Sequence, residues 1–148
     1  MMDVIIVDDE TAGRRTLREY CEAEEDLRVV GEFADGEAAL SAIRAAKPNL
    51  LFLDIQMDPL NGIELARALE PEILPSLVFV TAYDTYALEA FEVSAVDYLL
   101  KPFDQERFRK TLARVRPRHL NSSVDERQTL LAGLLAQLER GARTQGEG

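Results

Sequence analysis

With 148 residues, 27 acidic and 17 basic side chains and a formal charge of −10, the chain has room for one domain and an appendage, and at 47% hydrophobic it can bury a core rather than stay disordered. An isoelectric point near 4.6 argues against electrostatic capture of nucleic acid or of an anionic membrane by the whole chain. A single cysteine, Cys21, rules out an intramolecular disulfide and a one-chain thiolate metal cluster, which suits a reducing compartment.

The charge is unevenly spread. Residues 1–100 carry 7 basic and 21 acidic groups, residues 101–118 carry 7 and 2, and residues 119–148 carry 3 and 4. The N-terminus has only four consecutive apolar residues, Val4 to Val7, before Asp8, Asp9 and Glu10, too few for a secretion signal. No apolar run reaches the about 18 residues of a membrane span. A soluble, cytoplasmic chain without membrane contact is expected.

Five short apolar runs, VIIV (4–7), LRVVGEFA (27–34), NLLFLD (49–54), LVFVT (77–81) and AVDYLL (95–100), read as buried strands. Between them lie segments of helical spacing. Leu17, Tyr20 and Cys21 share a face, as do Ala39, Ile43 and Ala46, then Ile63, Leu65, Ala66 and Leu69, then Leu88 and Phe91, and after the last strand Phe108, Leu112 and Val115. Strands apolar along most of their length and separated by helix-sized crossovers predict an α/β fold with a parallel sheet covered on both faces. Right-handed crossovers open it into a doubly wound, flavodoxin-like sheet, for which 2-1-3-4-5 is the common five-stranded order.

The unit is expected to span residues 1–118, followed by a polar linker from His119 to Ser123. Ser123 and Glu126 then form an S-x-x-E capping pattern, and Leu130, Leu131, Leu134, Leu135 and Leu138 line one stripe up to Gly141. These predict a linker helix over about 124–140, then a polar tail to residue 148. Gly133 costs that helix about 1 kcal/mol relative to alanine, so its leucine stripe calls for a partner surface.

Parallel α/β sheets place ligands outside the carboxyl ends of their strands, and those ends are acidic here. Asp8 and Asp9 end the first strand and Asp54 ends the third. Three carboxylates on one rim are costly to keep ionised without a cation among them, and a hard ion that accepts a few carboxylates and keeps its waters is Mg²⁺. Thr81 ends the fourth strand and Lys101 follows the fifth, which adds a hydroxyl and a long cation suited to a phosphoryl group. A carboxylate can attack phosphorus to form an acyl phosphate. Asp54, alone at its strand end opposite the pair that would hold the metal, is the candidate nucleophile. Taken singly, these residues would be ordinary turns and caps; their combination at four strand ends in chain order points to phosphoryl transfer.

With VIIVDDE (4–10), LLFLDIQM (50–57) followed by Asn61-Gly62, FVTAY (79–83) and DYLLKPF (97–103), the sequence resembles the receiver domain of two-component response regulators over about residues 2–117. The stretch ALEAFEVSAVDYLLKPF (87–103) is most similar to receivers joined to LytTR-type DNA-binding domains. The resemblance implies that Asp54 accepts a phosphoryl group from a sensor histidine kinase. It implies that Mg²⁺ is bound by Asp9, Asp54 and the backbone carbonyl of Gln56, with Asp8 acting through water. Lys101 would pair with the phosphoryl group, Thr81 would hydrogen-bond to it, Tyr98 would be the aromatic switch that turns inward, and the peptide before Pro102 would be cis. Gln56 and Tyr83 would flank the hydrolytic water.

On that basis the chain is a signalling phospho-acceptor rather than an enzyme, limited to self-catalysed phosphoryl transfer and slow autodephosphorylation. Its implied output is dimerisation through the face of the fourth helix, fifth strand and fifth helix together with the 124–140 helix, controlling a DNA-binding domain beyond residue 148. The alternative is a stand-alone receiver acting by protein–protein binding. Arg107, Arg109 and Arg114 would pair with acids of a second subunit, and no direct nucleic-acid contact is expected of the chain itself. One departure is local: the family usually has proline four residues after the phospho-acceptor, where this chain has Asp58 followed by Pro59, which bears on metal affinity and phosphoryl lifetime. A dehalogenase-like phosphatase would need an aspartate where Gln56 stands. A flavodoxin-like redox protein would need a Ser/Thr/Gly-rich phosphate loop where the acidic DDET stands. Cys21 reads as core filler, and His119, the only histidine, as a linker residue.

Overall fold

The computed structural model describes residues 1–120. The expected 124–140 helix, with its Ser123–Glu126 cap and leucine stripe, and the polar tail lie outside the described residues.

Successive residues of a strand point to opposite faces of a sheet, and the first strand, β1 (Met2–Val7), is apolar on both. Val4 and Ile6 enter one core, Ile5 and Val7 the other. The remaining strands are β2 (Leu27–Phe33), β3 (Leu50–Asp54), β4 (Ser76–Thr81) and β5 (Asp97–Leu100). All neighbours pair in parallel, as the pattern predicts, and the order is β2-β1-β3-β4-β5, the common five-stranded solution. A register shift between Val4 and Ile5 leaves Val30 of the edge strand β2 outside the ladder, and its side chain is exposed.

Helices cover both faces. On one side α1 (Thr11–Glu22) and α5 (Gln105–Leu120) bury Leu17, Cys21, Phe108, Leu112 and Val115 against Val4, Phe52 and Val78. Phe52 stacks on Phe108 at 5.4 Å between ring centres, and Tyr20 tilts against Phe108 at 5.4 Å. Burial pushes the Cys21 thiol up to about 12, so it serves as an inert apolar group. On the other side lie α2 (Gly36–Ala46), α3 (Gly62–Ala68) and α4 (Ala87–Glu92). They pack Ala39, Ile43, Ile63, Leu65 and Ala90 on Ile5, Leu51, Leu53 and Phe79. Asp35 caps α2 through the Glu37 N–H at 2.9 Å, and Asn61 and Glu64 form a capping box on α3.

Two expectations change. The α4 helix is only six residues long and buries Ala90, so Leu88, expected on the apolar face with Phe91, is 57% exposed. The α5 helix runs through Pro117 to Leu120, so His119 lies in a helix rather than a linker. Proline removes one bond to the carbonyl four residues earlier. Both Pro117 and Ala113 are on the solvent side, where water can serve the freed carbonyl. No helix among the described residues is long and apolar enough to cross a membrane.

Candidate functional site

Strand register sets the depth at which each strand end meets the rim. Val7 lies beside Leu53, so Asp8 leaves β1 level with Asp54, the last residue of β3. Asp54 pairs with Val80, and Thr81 pairs with Leu100, so Thr81 and then Lys101 each stand one step further out. The sheet thus delivers two acids, a hydroxyl and a lysine to adjacent positions from four neighbouring strands.

Asp8 and Asp54 are buried, whereas Asp9 and Glu10 are exposed. Each of the four places a carboxylate oxygen within 4.8 Å of the others. Lys101 Nζ donates to Asp8 Oδ2 at 2.9 Å and reaches Asp54 Oδ2 at 3.5 Å and Glu10 Oε1 at 3.8 Å. Asp8 Oδ1 accepts from the Glu10 N–H at 2.9 Å, and Asp54 Oδ1 from the Gln56 N–H at 3.2 Å. Burial raises the Asp54 pKa to about 7, with the Asp8 charge adding to the rise and the Lys101 charge opposing it. Burial works against the Lys101 charge too, but the Asp8 hydrogen bond and the charges of Asp54, Asp8 and Glu10 outweigh it and raise its pKa. The pocket is therefore a set of hard oxygen donors with more negative charge than its one lysine offsets. That donor chemistry fits Mg²⁺.

Thr81 is buried, and its Oγ1 accepts from the Tyr83 N–H at 3.3 Å. Tyr98 is half-buried against the α2–α3–α4 core, and its hydroxyl donates to the Tyr83 carbonyl. One peptide segment, around Tyr83, thus joins the Thr81 hydroxyl to the Tyr98 ring. The Lys101–Pro102 and Asp58–Pro59 peptides are both cis. Gln56, Asp58 and Tyr83 are exposed.

The structure adds residues that the motifs did not single out. Glu10 belongs to the acid cluster, and the third acid of the DDE run was its signal. Arg14, one helical turn after Glu10, donates from Nη1 to the Asp8 carbonyl at 2.6 Å. Gly62 lies so close to β3 that an added Cβ would stand 2.3 Å from the Asp54 carbonyl oxygen. The α5 arginines have partners within the chain: Arg107 and Arg114 pair with Asp97 at 2.9 and 3.0 Å, and Arg109 pairs with Glu24 at 3.3 Å.

A doubly wound parallel sheet with an acidic, lysine-bearing pocket on its carboxyl rim defines a flavodoxin-like domain with a hard-oxygen donor set at its strand ends. Residues 4–113 match the model of the response regulator receiver domain, and the chain belongs to that family. Receiver domains are signalling phospho-acceptors, generally not enzymes, and generally bind Mg²⁺ at an acidic pocket. Among curated relatives, an uncharacterized response regulatory protein of Yersinia pestis is 51% identical over 115 residues, covering 78% of this chain and 48% of its own. The transcriptional regulatory protein BtsR of Escherichia coli is 44% identical over 124 residues, covering 84% and 52%. The chain spans about half the length of the curated relatives it matches. Among solved structures, the response regulatory domain of mrkE from Klebsiella pneumoniae superposes with a TM-score of 0.73 at 35% identity, covering 78% of this chain and 96% of that one. The receiver domain of AraT from Geobacillus stearothermophilus does so at 0.71 and 31%, covering 81% and 96%.

Proposed function

We propose that Asp54 is the phospho-acceptor of this receiver. The observation that carries the reading is the placement of the buried Asp54 carboxylate beside Asp8 and Lys101. An Asp54 oxygen attacks the phosphorus of a phosphohistidine on a sensor kinase; the O–P bond of an acyl phosphate forms, the N–P bond breaks, and the released imidazole regains a proton from water. Asp9, Asp54 and the Gln56 carbonyl would hold Mg²⁺, with Asp8 acting through water. The ion would supply positive charge to the transferring oxygens. Lys101 pairs with the phosphoryl group, and Thr81 turns its hydroxyl from the Tyr83 amide to the new oxygens. That shift changes the segment on which the Tyr98 hydroxyl rests, and Tyr98 is the switch. Gln56 and Tyr83, both exposed, tune access of the hydrolytic water.

The output we propose is transcriptional, through a LytTR-type DNA-binding domain beyond residue 148. The 87–103 motif supports it, as does a relative named a transcriptional regulator, of whose length the match covers 52%. Homodimerisation would use the α4–β5–α5 face, where Leu88 and Leu100 are exposed, together with the 124–140 helix. Pairing of the α5 arginines with acids of their own chain supports the absence of nucleic-acid contact by the receiver itself. On this reading the protein works in the cytoplasm. The test is incubation with Mg²⁺ and a small acyl phosphate, followed by intact mass and size-exclusion chromatography. Gain of one phosphoryl group that disappears in Asp54→Asn is expected; an equal gain in the variant would overturn the assignment. Phosphorylation without a change in oligomeric state would favour the stand-alone alternative.

A further inference from the structure

Asp97 opens β5 far from the acidic pocket, yet it is buried and both its oxygens are fully engaged. Oδ1 accepts from the Tyr98 N–H at 2.8 Å, from Arg107 Nη2 at 3.0 Å and from Arg114 Nη1 at 3.0 Å. Oδ2 accepts from Thr111 Oγ1 at 2.6 Å and Arg107 Nη1 at 2.9 Å. Burial alone would raise the Asp97 pKa; the hydrogen bonds from Arg107, Thr111 and the Tyr98 N–H, together with the Arg107 charge, more than reverse it, so the carboxylate stays ionised. The Arg107 fork also reaches the Tyr98 carbonyl at 3.3 Å and the Thr111 hydroxyl at 3.0 Å.

The strand so gripped is short and lies at the sheet edge. β5 has four residues and pairs only with β4, so few ladder bonds hold it. It nevertheless carries Tyr98 and delivers Lys101. A planar bidentate guanidinium fixes direction as well as distance, and here it spans the side chain of one strand residue and the backbone of the next.

We propose that Asp97 and Arg107 are a positioning pair for the phosphoryl-reading end of β5, clamping the strand under Tyr98 to α5 so that Tyr98, Lys101 and α5 move as one body. This rests on the assignment of Asp54 above. A buried ion pair serving stability alone would leave phosphoryl recognition untouched. A positioning pair changes the affinity for a phosphoryl mimic, because a looser strand must be ordered when Lys101 engages it.

The experiment titrates the 148-residue chain with beryllofluoride and Mg²⁺, well below each variant's melting temperature, reading intrinsic tyrosine fluorescence; the chain has four tyrosines and no tryptophan. Arg107→Lys keeps the charge and loses the fork. Its half-saturating concentration is expected to rise about three- to tenfold, the equilibrium worth of one ordinary hydrogen bond. Arg116→Ala is the control. It breaks a pair between α5 and Asp26 at 2.8 Å without touching β5, and is expected to lower the melting temperature with half-saturation unchanged. Thr111→Val removes a donor from the same carboxylate and is expected to shift half-saturation in the same direction by a smaller factor, which covers the case of an unfolded Arg107→Lys. If Arg107→Lys and Thr111→Val match the wild type, or if Arg116→Ala shifts as they do, the proposal fails while Asp54 stands. A wild type that neither responds to beryllofluoride nor takes a phosphoryl group overturns both.

Discussion

Replacing Asp54 with asparagine should stabilise the metal-free fold above neutral pH. Asp54 is 4% exposed and faces Asp8, and burial lifts its pKa from 3.8 to about 7. A group whose folded pKa stands above its unfolded value favours folding while protonated. Its contribution is complete below about pH 4 and is lost as the pH rises through about 7. At about 1.4 kcal/mol per pH unit, the ionised carboxylate costs the fold about 4 kcal/mol. That figure is already net of the opposing Lys101 charge, so asparagine, which avoids the cost, is expected to gain about 4 kcal/mol at pH 8. Urea unfolding of both proteins at pH 5 and pH 8 with a chelator present measures it. The advantage should be largest at pH 8 and less than half as large at pH 5, because the cost grows by about 1.4 kcal/mol per pH unit between the two pKa values, and added Mg²⁺ should stabilise the wild type far more than the variant. An Asn variant no more stable at pH 8, or equally favoured at both pH values, would refute the electrostatic account.

Three further outcomes follow from particular contacts. Lys101→Met removes the cation that bridges Asp8 and Asp54 and leaves a buried charge unpaired, at an expected cost of about 3 kcal/mol at pH 8 by chemical denaturation; an unchanged midpoint would contradict the pairing. Gly62→Ala places a Cβ 2.3 Å from the Asp54 carbonyl oxygen and 3.0 Å from Ile55 Cα. Both are backbone atoms, so a loss of about 3 kcal/mol is expected, and a wild-type melting curve would show that α3 has room to shift. The Asp97 pKa is held below its ordinary value, so its stabilisation is present above the unfolded pKa and is lost as the pH falls below about 4. Asp97→Asn should therefore flatten the acid limb of the stability profile, and an unaltered limb would place acid unfolding elsewhere.

The strands were legible because parallel strands buried on both faces are apolar along most of their length, as in Leu50 to Leu53 and Leu77 to Val80; their order was expected only as the common five-stranded solution, because an apolar run does not say which strand lies beside it. The site was legible because polar residues that interrupt such runs must lie at strand ends, and Asp8, Asp54, Thr81 and Lys101 all do. Leu88 was misread because a helix of six residues is too short to impose a periodicity. His119 was misread as a linker residue because a proline whose freed carbonyl faces water, as at Pro117, does not have to end a helix.

Sequence by itself determined which chemistry the chain can support: the acids, the hydroxyl and the lysine, their chain order, and the parallel sheet that would gather them. Tertiary structure decided what those charges touch. It joined Glu10 and Arg14 to the pocket, ran Arg107 and Arg114 back onto Asp97, and set Arg116 on Asp26. Spacing along a chain reports which face a residue occupies, whereas the choice among several acids for one long, flexible cation depends on distances between elements remote in sequence.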